Sequence, residues 1–137
     1  MEEILARARE IFAADHYATS LTGIQIEQIG LHEAQCSLDL APQHLNARGV
    51  AMGGVLFTLA DFCAAVAANS GCLEEDVLHW VSVNSSIHFL APAQGGRLMA
   101  FCRAIKHGRS TALYQTEIIV STHGKLIATV ETTLMTV

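Results

Sequence analysis

The sequence predicts an α+β fold, one antiparallel sheet wrapped round one buried helix, and three observations predict it. The stretch "GGVLFTLADFCAAVAAN", residues 53–69, is of helical length and apolar on every side except Thr58 and Asp61. A helix apolar all round is a buried helix. After residue 76 the chain reads entirely as strand, in four long runs rich in β-branched and apolar residues. Short turn chemistry separates those runs ("APAQGG", "HGR" and "THG"), and strands joined so tightly run antiparallel.

Taken in order, "EEILARAREIFAADHYA" carries Ile4, Leu5, Ala8, Ile11 and Phe12 on one stripe, which predicts an amphipathic helix. "TGIQIEQIGLHEAQCSLDL" alternates well enough for two short strands. Ile24, Ile26, Leu38 and Leu40 mark one side, and Gly30 falls near the turn. "APQHLNARG" is a loop by its Pro, Asn and Gly. The buried helix opens at Gly53-Gly54 and stops at "NSG", residues 69–71. The strand runs are 77–90, 97–107, 110–120 and 125–137.

A length of 137 residues suits a single domain, 1–137. A 51% hydrophobic content is high for a small monomer and points to subunit contacts. No apolar stretch approaches the roughly 20 residues of a membrane helix, so no membrane partner is expected. "MEEILARARE" has no basic start before an apolar core, so the expected location is cytoplasmic. The net charge of −5 argues against nucleic acid. Cys36, Cys63, Cys72 and Cys102 form no C-x-x-C pair and read as reduced core thiols. Residues 77–137 hold five Lys/Arg against two acids, the reverse of the first half. That patch is either a seat for a small anionic ligand or a solvated strand surface.

Two features carry chemistry. If Gly53-Gly54 begin the helix, their N–H groups have no intrahelical partner and the helix dipole adds positive charge there. Glycine also lets a ligand come close. The pair is thus either a donor site for an oxyanion, as in acyl transfer, or a tight turn packed on the sheet. Asp61 is the second. An ionised carboxylate amid apolar residues needs a reason: it bonds to something structural, or it faces a cleft and acts as base or nucleophile. Eight residues of helix separate Gly53 from Asp61, roughly 12 Å. If both act on one substrate atom, they come from different subunits, and a two-fold dimer with antiparallel helices would bring them together. No G-x-S-x-G, H-E-x-x-H or G-x-x-x-x-G-K is present. The seven histidines are scattered, and His88 reads as a packed strand residue. Cys63 falls on nearly the opposite side of the helix from Asp61.

"HLNARGVAMGGVLFTLAD" resembles the signature of the hotdog-fold acyl-CoA thioesterases of the phenylacetate-pathway type, H-x-N-x-x-G-x-x-H-G-G followed by an apolar run and an acid. "SSIHFLAPAQGGRLMAFCRAIKHGRS" and "GKLIATVETTLMTV" are similar to that family's later strands, so the resemblance covers nearly the whole chain. It implies a hotdog fold and a homodimer at least, with pairs joined into a homotetramer. It implies hydrolysis of an acyl-CoA substrate, with coenzyme A entering as part of the substrate and no further cofactor and no metal. Asp61 is carried over as the catalytic carboxylate, Gly53 as the oxyanion donor with Gly54 beside it, and Asn46 as the residue positioning thioester or water. Arg103, Lys106 and Arg109 lie where such proteins meet the coenzyme A phosphates. The chain departs from the pattern at Met52, where the family has His, and Met makes no strong hydrogen bond. It departs again at Ala65, where some relatives place a hydroxyl; Ser82 on the next strand is the candidate replacement. Met52 keeps a second reading open, a non-catalytic acyl-CoA binding module. A dehydratase of the same fold would need a His near the helix start.

Overall fold

The computed structural model describes residues 2–75 and 77–137. The N-terminal stripe forms α1, Glu2–Phe12, which buries Ala8 and Phe12. The stretch read as helical, 2–18, extends past the stripe, and the helix ends with the stripe at Phe12. The Thr19 hydroxyl donates to the carbonyls of Asp15 (3.0 Å) and Ala13 (3.4 Å), competing with a regular ladder. Tyr17–Thr22 instead winds into a π-helical turn, closed by Gly23 at φ 93°, whose N–H bonds Ala18 O.

β1 (Gln25–Gly30) and β2 (Glu33–Asp39) pair antiparallel through a turn in which His32 sits at φ 61°. The long buried helix is α2, Gly53–Ala68. Four strands follow: β3 (Trp80–Phe89), β4 (Arg97–His107), β5 (Thr111–Val120) and β6 (Leu126–Thr136). The six form one sheet in the order β1-β2-β4-β5-β6-β3, and every pair of neighbours is antiparallel. α2 packs against all six strands. This is the α+β class and the hotdog fold expected from the sequence.

β3 and β4 run in opposite senses, as their short link requires, yet they are not neighbours. β3 pairs with β6 at one edge, and β5 and β6 lie between it and β4. Three strand spacings are about 14 Å, and the seven residues 90–96 reach about 23 Å when extended. The link therefore crosses the mouth of the curled sheet. As an edge strand, β3 leaves Val81, Val83 and Phe89 exposed. His88 is exposed too, correcting the expectation that it is packed.

α2 is not enclosed on every side. Leu59, Ala60, Cys63 and Val66 are fully buried, but Gly54, Phe57, Thr58, Asp61 and Ala65 keep solvent contact. Those five lie three and four residues apart and share one face. The sheet stops short of them because it ends at β3. The four cysteines are free and buried, as expected of core thiols.

The amide of Asn69 locks β3 onto the end of α2. Asn69 is 1% exposed. Its Oδ1 accepts the N–H of His79 and of Trp80, both at 3.0 Å. Its Nδ2 donates to Ala65 O (2.9 Å) and to Trp80 O (3.1 Å). We expect Asn69→Leu to lose about 2–4 kcal/mol in chemical denaturation, because two backbone N–H groups are left without acceptors. Asn69→Asp keeps the acceptor and is expected to lose less.

At the same end of the molecule, the His107 ring stacks on His32 (centroids 3.7 Å apart), leans on Trp80 (4.4 Å) and meets Tyr114 Oη through Nδ1 at 2.7 Å. Burial, and then the neighbouring His32, hold the His107 imidazole below its ordinary value of 6.5. Folding therefore favours the neutral ring. That contribution is complete above the ordinary value and is lost as pH falls through the folded one. We expect thermal stability to drop as pH falls below the ordinary value of 6.5, and to drop less in His107→Phe.

Candidate active site

Asp61 lies on the open face of α2, half-buried, and lines a cavity of about 410 Å³. The walls of this cavity are the α2 residues Phe57, Thr58, Phe62 and Ala65, and the segment 14–18 that follows α1. From the other flank, Ser82 of β3 donates its hydroxyl to Asp61 Oδ1 at 3.0 Å. A register shift in the β3–β6 ladder comes directly after Ser82, and such bulges re-aim the side chains beside them. The carboxylate is thus neither orphaned nor sealed in the core. One oxygen takes a hydroxyl, and the group fronts a cleft whose walls mix apolar residues (Phe57, Phe62, Ala65) with polar ones (Asp15, His16, Thr58).

Gly53 is the first residue of α2, and Met52 caps it in an extended conformation (φ −65°, ψ 140°) with no side-chain hydrogen bond. The N–H groups of Val55 and Leu56 turn back to Met52 O. Those of Gly53 and Gly54 have no partner among the described residues and sit at the positive end of the helix dipole. A Cβ at Gly53 would meet the Phe89 ring at 3.0 Å, so glycine lets that ring close over the helix start. A Cβ at Gly54 would point into open space. Met52 stands in the open, 52% exposed.

The loop before the helix is held from within. Asn46 Oδ1 accepts from Arg48 N (2.9 Å) and Val50 N (3.3 Å), which commits its carbonyl oxygen to the loop. His44 is buried. Its Nδ1 accepts from Ala41 N at 3.0 Å, so Nε2 carries the proton toward Thr22 O at 2.7 Å, and its own carbonyl accepts from Met52 N. Through His44 the segment 17–22 and the start of α2 are one unit.

The structure brings Asp61 and Ser82 together within one chain. It does not bring Gly53 to Asp61, which stay eight helical residues apart. Arg103, Lys106 and Arg109 lie on the β4–β5 hairpin and its approach, outside the Asp61 cavity. Arg103 bonds Gln115 Oε1 at 3.3 Å and lines a groove on the outer sheet face with Glu33 and Glu117. Arg97, counted in the positive half of the sequence, is neutralised by Glu27 (2.7 Å) and Asp39 (3.5 Å). Two residues of the site carried no sequence pattern. Asn69 reads only as a helix stop, and Asp15 falls beyond the last periodic position of α1, yet it lines the cavity facing Asp61.

The family model of the thioesterase superfamily matches residues 48–127, which include α2, Asp61 and Ser82. A curated protein of Archaeoglobus fulgidus named "Putative esterase" is 35% identical over 97 residues, 69% of this chain and 58% of that protein. The match thus spans less than two thirds of that relative's length. The E. coli PaaI protein from the phenylacetic acid degradation operon superimposes with a TM-score of 0.83 at 26% identity, over 98% of this chain and 96% of that one. A hypothetical thioesterase of Streptococcus pneumoniae, solved with coenzyme A, shares the fold with a TM-score of 0.80 at 22% identity, over 92% and 96% of the two chains. With these matches and the architecture described, the chain belongs to the thioesterase superfamily, as a hotdog-fold protein of the PaaI-like kind.

Proposed function

We propose that this chain hydrolyses acyl-CoA thioesters to the free acid and coenzyme A, in a site shared between two subunits. One observation carries the reading: α2 holds two open N–H groups at its start and a hydroxyl-bonded carboxylate on its open face, roughly 12 Å apart. Neither half completes a thioester site alone. A two-fold axis that sets two α2 helices antiparallel would place Gly53 of one subunit against Asp61 of the other, twice. The exposed apolar edge supports that axis. Val83 (52% exposed) and Phe89 (56%) on β3, with Phe57 on α2, are surface that a partner would cover. The homotetramer implied by the resemblance would use another surface, such as the outer sheet face around Phe101.

In this reading the Gly53 N–H, with Gly54 beside it, polarises the thioester carbonyl and holds the oxyanion. Asp61 of the opposite subunit either takes a proton from the attacking water or attacks the carbonyl itself, with water then resolving the acyl intermediate. In both routes the C–S bond breaks and the sulfur leaves as the thiol of coenzyme A. Ser82 stabilises the anion of Asp61 on Oδ1 and leaves Oδ2 for the reaction. Arg103, Lys106 and Arg109 are the cations we assign to the coenzyme A phosphates. Asn46 acts by shaping the loop before the helix; its amide nitrogen is the part able to reach substrate.

Asp61→Asn is expected to lower thioester turnover by about 10²–10⁴-fold, and Ser82→Ala by roughly tenfold, with thiol release from a panel of aryl- and alkyl-CoA esters as the assay. Unchanged turnover in Asp61→Asn contradicts the mechanism. The second reading, a non-catalytic acyl-CoA binding module, is favoured by the exposed Met52 at the helix cap. Binding by calorimetry with no turnover from wild type would establish it.

A further inference from the structure

The cavity beside Asp61 holds a second carboxylate. Asp15 follows α1 and reaches the cavity from the opposite wall. Its backbone is pinned, with the N–H on Phe12 O (2.9 Å) and the carbonyl taking the Thr19 hydroxyl (3.0 Å). Its side chain makes no hydrogen bond among the described residues. The fold therefore fixes the Asp15 backbone at the cavity rim and leaves the exposed carboxylate unused for its own stability. The titratable groups of the lining are Asp15, His16 and Tyr17 from the N-terminal segment and Asp61 from α2. No Lys or Arg lines the cavity among the described residues. Burial, and then the charge of Asp61, push the Asp15 carboxyl above its ordinary value, while His16 pulls it back. Asp15 itself is exposed at the rim of the cavity, so the two carboxylates meet across an open cleft rather than in the interior.

We propose that Asp15 is a specificity-determining residue, which together with Asp61 restricts the acyl group to ones without a carboxylate of their own and drives out the acid once it has formed. The inference rests on the reading of Asp61 as the hydrolytic residue of an acyl-CoA site. Its physical content is a sign change during the reaction. The thioester carbonyl is neutral and can lie against two carboxylates, whereas the product is an anion and is repelled by both. An acyl chain ending in a carboxylate meets the same repulsion before any chemistry. One unit charge at the width of such a cleft is worth on the order of a tenfold change in affinity when the site is partly solvated. The repulsion weakens with salt. It weakens in acid as well, as Asp15 takes up a proton.

The test compares hexanoyl and 5-carboxypentanoyl groups, equal in carbon number and different in terminal charge. Binding of their non-hydrolysable thioether analogues of coenzyme A is measured by calorimetry for wild type, Asp15→Asn and Asp61→Asn. Turnover of the corresponding thioesters, and inhibition by hexanoate, are measured in parallel. The expected result is that wild type binds the neutral analogue more tightly by about tenfold or more. Asp15→Asn narrows that ratio and strengthens inhibition by hexanoate, and added salt narrows the ratio in wild type. A ratio near one in wild type, or one that Asp15→Asn leaves unchanged, overturns the inference even if the thioesters are hydrolysed. A ratio relieved in Asp15→Asn with no turnover of any thioester leaves charge selection standing and overturns the hydrolytic reading instead.

Discussion

The Asn69 amide makes four hydrogen bonds with the backbone at the point where the buried helix ends and the edge strand begins, and the geometry of the site follows from them. Two of its bonds accept the N–H groups of His79 and Trp80, and two are given to carbonyls of α2 and β3. A side chain so placed fixes both the direction and the register of β3 along α2. The clamp ties Trp80 to Ala65, and counted from Ala65, Asp61 lies four residues back along the helix, about 6 Å. Ser82 lies two residues past Trp80, about 7 Å along the strand. Their 3.0 Å contact is the consequence. If β3 slipped by one residue, Ser82 would point to the other face of the sheet, and the carboxylate would stand on an apolar helix with no donor.

The same arrangement explains why the helix has an open face at all. Six strands curl round α2, and β3 is the last of them. Past its edge the helix shows Phe57, Thr58, Asp61 and Ala65, covered only in part by the segment 14–18. A small domain gains nothing for its own stability by leaving this stripe uncovered beside an apolar edge strand. The arrangement makes sense if the uncovered parts have a use. The open N–H groups at Gly53 and Gly54, the carboxylate at Asp61 and the apolar surface of β3 all lie on this side of the molecule.

Much of this was legible in the sequence, and the misses have physical causes. The long helix was readable because sixteen residues with two polar exceptions can only be a core element, and β4, β5 and β6 because turn residues bracket β-branched runs. The partner of β3 was not, since a link's length limits its reach without naming the strand at its far end. The open stripe was missed because Phe57 and Ala65 are as apolar as their buried neighbours, so burial could not be read from residue type. His88 was misplaced for the same reason: only the sheet order shows that its strand is an edge. Asp61 and the glycine pair stood out as polar or flexible residues in apolar surroundings. Asn69, His44 and Asp15 act through tertiary bonds or proximity that leave no local pattern.

The central claim, that each site takes its N–H donor from one subunit and its carboxylate from the other, is open to a direct measurement. Gly53→Pro removes the backbone N–H at the first helical position, where proline is accommodated. The extended Met52 before it suits a following proline, and the exposed Phe89 ring can yield to it. Gly53→Pro and Asp61→Asn are each inactive as homo-oligomers in this account. When the two are denatured together and refolded as an equal mixture, each heterodimer has one site with both defects and one with neither. Thiol release is then expected to return to about one quarter of the wild-type value, since half the dimers are mixed and each of those has one working site. A refolded mixture as inactive as its two parents, with mixed dimers present, would place both groups on the same chain and contradict the shared site.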